Sequence, residues 1–547
     1  MLDALRKSAS GLIGGGTKPQ ASVHGSEDRT DQTLARWMPM LQSPDDEAIE
    51  GWETSVGRLR ELIRENGITS GLVQTQLDSV IGPDLMLVPK PDYRYLRLSA
   101  EWAREFSAEV QTKWRSYAYD PEHRIHASRV LDFPGLLRQG YRSRMMSGEI
   151  VATAEWIERS NWPYRTAVQP IDPERVSTPA GKIDDPGLRH GIVKDRFGAP
   201  VGAFIRSAHP NDSTNLRGQF RWRFVRRETD FGRLQLIHIF DQERPSQSRG
   251  RTGLLSGIKQ IKMLERWQST AMQAAIINSM YAAVIESSVD HPEVMAALGA
   301  QSESALSAYL TDALEYHSGT DKVKFDGSKI AHLFPGEKLN MTSVKQPVAA
   351  FEQFERAALR HIAAATNTSY EQLSKDYTNT TFSNARASML EAWKFVLSER
   401  YHVANRYASI IYTLWLEDAI SSGAIQVPGG FGAFMAPGAK RAFTQAKWIG
   451  PGREEIDPVK RANATGIDIS LGLTSHEEEA AERGRHLEEI IDEQVALYQN
   501  YLAKGVPEET ARRLVWGSEN VKFEDSDMVE EERRENAERT NTGDNDE

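Results

Sequence analysis

Two stretches without helix breakers constrain this fold more than any other feature. Between Ile258 and His291 there is neither glycine nor proline, and the run KQIKMLERWQSTAMQAAIINSMYAAVIES consists mostly of helix-forming residues. It suits a helix of about thirty residues, roughly 45 Å long at 1.5 Å per residue. A second uninterrupted pattern covers Ser383 to Ser421, which at that rise reaches about 58 Å. The second half of the first run is small and apolar, with Ala271, Ala274, Ala275, Ala282 and Ala283. An isolated domain seldom needs such a helix, whereas neighbouring copies packed side by side would bury it. Gln268, Gln273 and Asn278 punctuate it and argue against a membrane span.

Elsewhere the pattern is mixed. Residues 1–44, rich in Gly, Ser, Asp and Gln, read as a flexible arm. Helices are expected from Trp52 to about Gly67, from Leu72 to Ile81, and from Ala100 to Tyr117, with a short strand at Leu85 to Pro89. From Gly148 to Ile239 short β-rich runs take over: Ile150 to Trp156, Ile192 to Ile205, Phe220 to Val225 and Leu234 to Phe240. Asp185–Gly187 and Asp195–Gly198 read as hairpin turns between them. Residues 290–343 look like a small insert, with strand-like pieces at Val323–Phe325 and Ile330–Phe334. A helix follows from Val348 to Ala365, and the polar stretch Thr366–Thr381 breaks it. Residues 423–438 hold five glycines and two prolines and read as a loop. Helices resume at Val459–Thr465, Ser475–Tyr501 and Pro507–Trp516, the second opening on the capping pattern Ser475-His-Glu-Glu478. The fold class is α+β, mainly α, in several packed modules, since 547 residues exceed one ordinary core.

Composition narrows the function. The chain has no cysteine, which excludes disulfides, thiolate zinc sites and cysteine nucleophiles and fits folding in a reducing cytoplasm. The net charge is −11, but residues 524–547 carry −8 of it, leaving about −3 for the rest, so DNA contact by the main body is not opposed. That segment reads as a disordered acidic tail. Gly11–Lys18 superficially matches a phosphate-binding loop, but Gly16 is followed by Thr17 and Lys18 rather than Lys-Ser/Thr, with no preceding strand. His238, His361 and His486 stand in no metal-ligand spacing and read as structural, and Glu454–Glu455 and Glu477–Glu479 as surface charge. No cofactor or metal site is expected. A nucleic-acid-processing enzyme, a nuclease or terminase-like motor, would need clustered acidic ligands or a true phosphate loop.

Four ordered motifs carry a family resemblance: RLRELIRENGITSGLVQTQLDSVIG at 58–82, HIFDQERPSQSRGRTGL at 238–254, SYEQLSKDYTNTTFSNARASMLEAWKF at 369–395, and WIGPGREEIDPVKRANATGIDISLGLTSHEEEAAERG at 448–484. Together with the succession of long helix, insert, helix, polar loop and very long helix, they make the chain resemble the lambda-type portal proteins of tailed bacteriophages over residues 45–520. Residues 379–383, Asn-Thr-Thr-Phe-Ser, depart from the family's more usual Asn-Tyr-Ser-Ser type. The resemblance implies a portal fold assembled as a twelve-subunit ring. Wing (45–248), stem helix (249–289), clip (290–344) and second stem helix (345–366) would be followed by a tunnel loop (367–382), the return through the wing (383–455) and a helical crown (456–523).

It also implies a non-enzymatic conduit at one capsid vertex, assembled in the host cytoplasm. Its partners would be the major capsid protein, the terminase large subunit, a head-completion or adaptor protein, and sequence-independent double-stranded DNA, with no membrane. Such a channel must surround phosphates without gripping them, because each strong cationic contact has to be broken during sliding. Short polar residues suit this: Thr378, Asn379, Thr380 and Thr381, with Lys375 opposed by Asp376. Basic residues Arg249, Arg251, Lys259, Lys262 and Arg266 gather at the start of the first stem helix, the last three on one face. They either guide phosphates, pair with acids of a neighbouring copy, or form a solvated helix face.

Overall fold

A computed structural model describes residues 40–281, 311, 315, 324–325, 328–329, 348–378, 382–452 and 458–517. Near its start two helices, Trp52–Glu65 and Gly67–Val80, meet at Asn66, whose side chain accepts from the backbone N–H of Thr69 at 3.0 Å. The expected stop at Gly67 is therefore the opening of the next helix, because Asn66 caps it. The helix Ala100–Ala118 follows, started by Ser99, and then Phe133–Ser147, which the apolar spacing alone does not announce. The local signal for that last helix is Asp132, which caps the N–H of Gly135 at 2.9 Å, followed by Pro134 in the first turn.

The β-rich region forms two antiparallel sheets. Glu149–Trp156 lies between Thr166–Ile171 and Leu236–Phe240, with Ala154 opposite Val168 and Ala152 opposite Ile237. The second sheet runs in order Leu188–Arg189, Ile192–Lys194, Pro200–Arg206 and Trp222–Arg226. The expected turn at Asp195–Gly198 joins its second and third strands, whereas Asp185–Gly187 lies before the first strand and the first hairpin turns at His190–Gly191, both with left-handed φ. The Asp195 carboxylate accepts from the N–H groups of Phe197 and Ala199, and Asp185 from those of Gly187 and Leu188. Val151, Ile171, Val176, Ile192, Ala203, Ile205, Val225 and Leu236 bury the space between the sheets. A short strand, Met86–Pro89, pairs antiparallel with Ala446–Ile449, joining two segments some 360 positions apart in the sequence.

The main core is aromatic. Trp114 makes edge contacts with Phe133, Tyr412 and Trp415 at centroid separations of 5.0–5.6 Å, and Tyr117 stacks on Trp415. Tyr412 and Trp415 belong to the second long helical run, which spans Phe382–Ser421 as expected but contains one π-helical segment, Arg400–Ala404. The extra residue per turn turns Arg400 inward, where its guanidinium donates to the carbonyls of Ser79, Val80 and Pro451 at 2.8–3.1 Å. Ser79 and Val80 close the helix Gly67–Val80, so Arg400 satisfies carbonyls that a helix end leaves without intrahelical partners.

Two expectations need correction. Residues 423–438 are not simple loop, since Gly430–Phe434 forms a helical turn with Phe434 fully buried. The expected helix Ser475–Tyr501 is two, His476–Glu482 and Leu487–Ala503, because Gly484 takes a left-handed φ of 74°. In the insert, Lys324–Phe325 pairs antiparallel with Ser328–Lys329, and the expected strand Ile330–Phe334 lies outside the described residues. Most of 290–344, together with residues 1–39 and 518–547, lies outside the described residues.

Candidate nucleic-acid interface

The helix Leu255–Tyr281 covers much of the segment expected as the first stem helix, and its sides are chemically distinct. Ile261 and Leu264 are buried, together with Leu359, Ile362 and Ala363 of the helix Val348–Ala365. The two helices run antiparallel. Near one end the Ser256 hydroxyl donates to the Ala365 carbonyl at 3.2 Å. Further along, Trp267 stacks on Phe351 at 4.3 Å and touches Phe354 at 4.6 Å, while Gln268 donates to Glu355 at 2.6 Å.

Lys259, Lys262 and Arg266 lie exposed along this helix, and Arg251 is exposed just before it. Lys262 donates to Glu265 at 3.1 Å, a hydrogen bond that raises its pKa above the ordinary value. Arg251, Lys259 and Arg266 have no ion-pair partner among the described residues. Their positive charge is therefore left to solvent or to a ligand.

Arg249 does not belong to this face. It is buried, with its guanidinium bonded to both Glu149 carboxylate oxygens and to the carbonyls of Pro173, Val176 and His190. A guanidinium has five donors in a fixed fork, and here they are consumed inside the protein. Glu149, itself fully buried, also accepts from His238 at 2.8 Å and from the Gly250 N–H at 3.2 Å. Burial alone would raise the Glu149 pKa, but the charge of Arg249 and the contact with His238 outweigh it and hold the value at about 2. Gly250 has to be glycine, because a Cβ there would lie 2.2 Å from the Gly148 carbonyl oxygen. A neighbouring lock fixes the preceding residue: Ser248 donates to Asp45 through its hydroxyl at 2.7 Å and its N–H at 2.5 Å, and Asp45 pairs with Lys194 at 2.9 Å. The helix Leu255–Tyr281 thus follows a segment bolted at two consecutive residues.

The expected tunnel loop also divides. Its first half is packed, contrary to the expectation of a wholly polar connector. Thr366 is buried and its carbonyl accepts from Gln76 at 3.0 Å. Ser369 and Gln372 form a reciprocal capping box that opens the short helix Tyr370–Ser374, whose Leu373 is buried. Lys375 has a left-handed φ of 57°, and its ammonium turns back to the Thr75 hydroxyl at 3.1 Å. Thr378 donates through its N–H to Asp376 at 3.1 Å and through its hydroxyl to the same oxygen, holding that carboxyl below its ordinary pKa. Asn379, Thr380 and Thr381 lie outside the described residues.

Among the described residues, Asp172, Glu174 and His209 bring possible ligand atoms within 4.8 Å, a cluster their spacing in sequence conceals. Arg60 already pairs with Asp172 at 2.8 Å and with Glu174 at 2.9 Å. No described helix is long and apolar enough to cross a membrane.

The architecture is a mainly helical α+β body with two antiparallel sheets, an antiparallel helix pair and exposed cations along one helix. The family described as phage portal protein, lambda family, matches residues 30–400. The portal protein of Escherichia phage N15 is 33% identical over 480 residues, covering 87% of this chain and 89% of that one. Portal protein B of Escherichia phage lambda is 32% identical with the same coverage. The chain belongs to the lambda family of phage portal proteins. It is a structural protein of a tailed phage and not an enzyme. A more distant likeness, to the neck of an empty GTA particle computed with C6 symmetry, has a TM-score of 0.39 at 13% identity, covering 84% of this chain and 98% of that one.

Proposed function

We propose that twelve copies of this chain form a closed ring at one capsid vertex, through which double-stranded DNA enters during packaging and leaves at ejection. Arg251, Lys259, Lys262 and Arg266 face the DNA, and Thr378–Thr381 line the narrowest passage. The terminase large subunit docks on residues 290–344 and supplies the energy. A head-completion or adaptor protein takes the same end afterwards, while the major capsid protein meets the outer rim. Assembly proceeds in the host cytoplasm.

The observation that supports this reading best is the row of exposed cations on a helix whose opposite side is fixed by aromatic stacking. Three of the four have no ion pair among the described residues. A few dispersed cations attract the phosphate backbone yet leave it free to slide, because binding strength scales with the number of phosphates neutralised. Charge reversal tests it. Lys259→Glu with Arg266→Glu should leave ring assembly by sedimentation unchanged and lower packaged DNA per particle at least tenfold. Unchanged DNA content would place the channel wall elsewhere.

A further inference from the structure

The second sheet has one face in the core and one open to solvent, and the open face is hollow. Alternation along its strands sends Ile192, Ala203, Ile205 and Val225 inward. Leu188, Val193, Phe204 and Phe224 line the other side, with Ile183 and Lys182 at the rim, around a groove of about 630 Å³. Gly202 makes the hollow possible, since a Cβ there would meet the Phe224 ring at 2.6 Å. Ile183 is 87% exposed and Phe224 40%, so large apolar surface stands uncovered. Lys182 lies 4.6 Å from the centre of the Phe204 ring and adds positive charge at the rim.

The chain itself enters beside this groove. Asp45 pairs with Lys194, which lines the groove, and Asp46 pairs with Arg189 of the adjoining strand. Immediately before them, Met40 and Leu41 are 83% and 103% exposed, two large apolar side chains in succession that no described residue covers. They close the most apolar stretch of the arm, Leu34-Ala-Arg-Trp-Met-Pro-Met-Leu41. Pro39 biases Met38 toward extended backbone, the conformation that lies along a sheet. Eight extended residues reach about 26 Å, enough to cross four strands set about 4.8 Å apart. Upstream, Glu27, Asp28 and Asp31 supply acids that could meet Lys182 at the rim.

We infer that residues 34–41 of the same subunit seat in this groove, with Trp37 and Met38 against Phe204 and Phe224, so that the arm straps the outer face of the wing sheet. The groove is open along one side, and its volume is comparable with two or three such side chains. The tether at Asp45 and Asp46 selects the chain's own arm over a free partner, because a tethered ligand acts at high effective concentration.

The absence of native cysteine makes the test direct. In the full-length protein, Met38→Cys combined with Ile183→Cys, treated with a short bismaleimide, should give an intrachain crosslink that runs as monomer on denaturing gels. Adding Phe224→Glu should lower the yield at least fivefold, and Phe224→Leu should restore it. Crosslinks between chains would assign the groove to a neighbour's arm and overturn the inference, as would a yield indifferent to Phe224→Glu or no crosslink at all.

Discussion

Glu149 and Arg249 show how much a single buried pair decides here. Removing one partner of a buried ion pair leaves the other uncompensated, a loss of about 3–5 kcal/mol. Glu149→Gln should destabilise the chain by that order in chemical denaturation, because Arg249 would keep its charge and lose the carboxylate it pairs with among the described residues. The pH dependence has a definite sign. The folded pKa of Glu149, about 2, lies below its ordinary value of 4.5. The stability it contributes is thus fully present above pH 4.5 and is lost as the pH falls toward 2. Acid titration of the native chain should show a loss over this window that the Gln variant lacks. Nothing in the sequence couples the two residues, since they stand 100 positions apart. Read locally, Arg249 is one more cation in a basic cluster. The fold buries it, whereas Arg251, two residues on, remains exposed.

At the scale of elements, the two long helical runs differ in how they are held. Leu255–Tyr281 is fixed through one side by its antiparallel partner, whereas Phe382–Ser421 passes from a largely exposed half into the aromatic core, with the π segment Arg400–Ala404 between them. The connector between the helix pair and the second run is anchored as far as Ser374 by the capping box and by Leu373. A role in the passage therefore concentrates on the residues after Lys375. Shortening Asn379–Thr381 should leave ring formation and thermal stability nearly unchanged while lowering the DNA retained per particle, measured by sedimentation beside DNA content. A normal DNA load would remove the loop from the proposed passage.

For the whole molecule, charge is sorted along the chain: residues 524–547 carry −8 of the net −11. The expectation from composition is that a segment so acidic and poor in apolar residues does not gain enough from burial to be ordered. Truncation at residue 523 should leave ring assembly intact by sedimentation, and loss of soluble rings would show that the tail packs. By itself the sequence determined the two long helical runs, the cap at Ser475, the hairpin turn at Asp195, and a family resemblance resting on four ordered motifs. These are local signals, carried by residues within a turn or two of one another. Only the tertiary structure decided that Met86–Pro89 pairs with Ala446–Ile449, that Arg400 caps the helix ending at Val80, that Arg249 is internal, and that half of the polar connector is packed. Each depends on partners tens to hundreds of residues away, and burial changes what a charge or hydroxyl does by removing the water that would otherwise satisfy it.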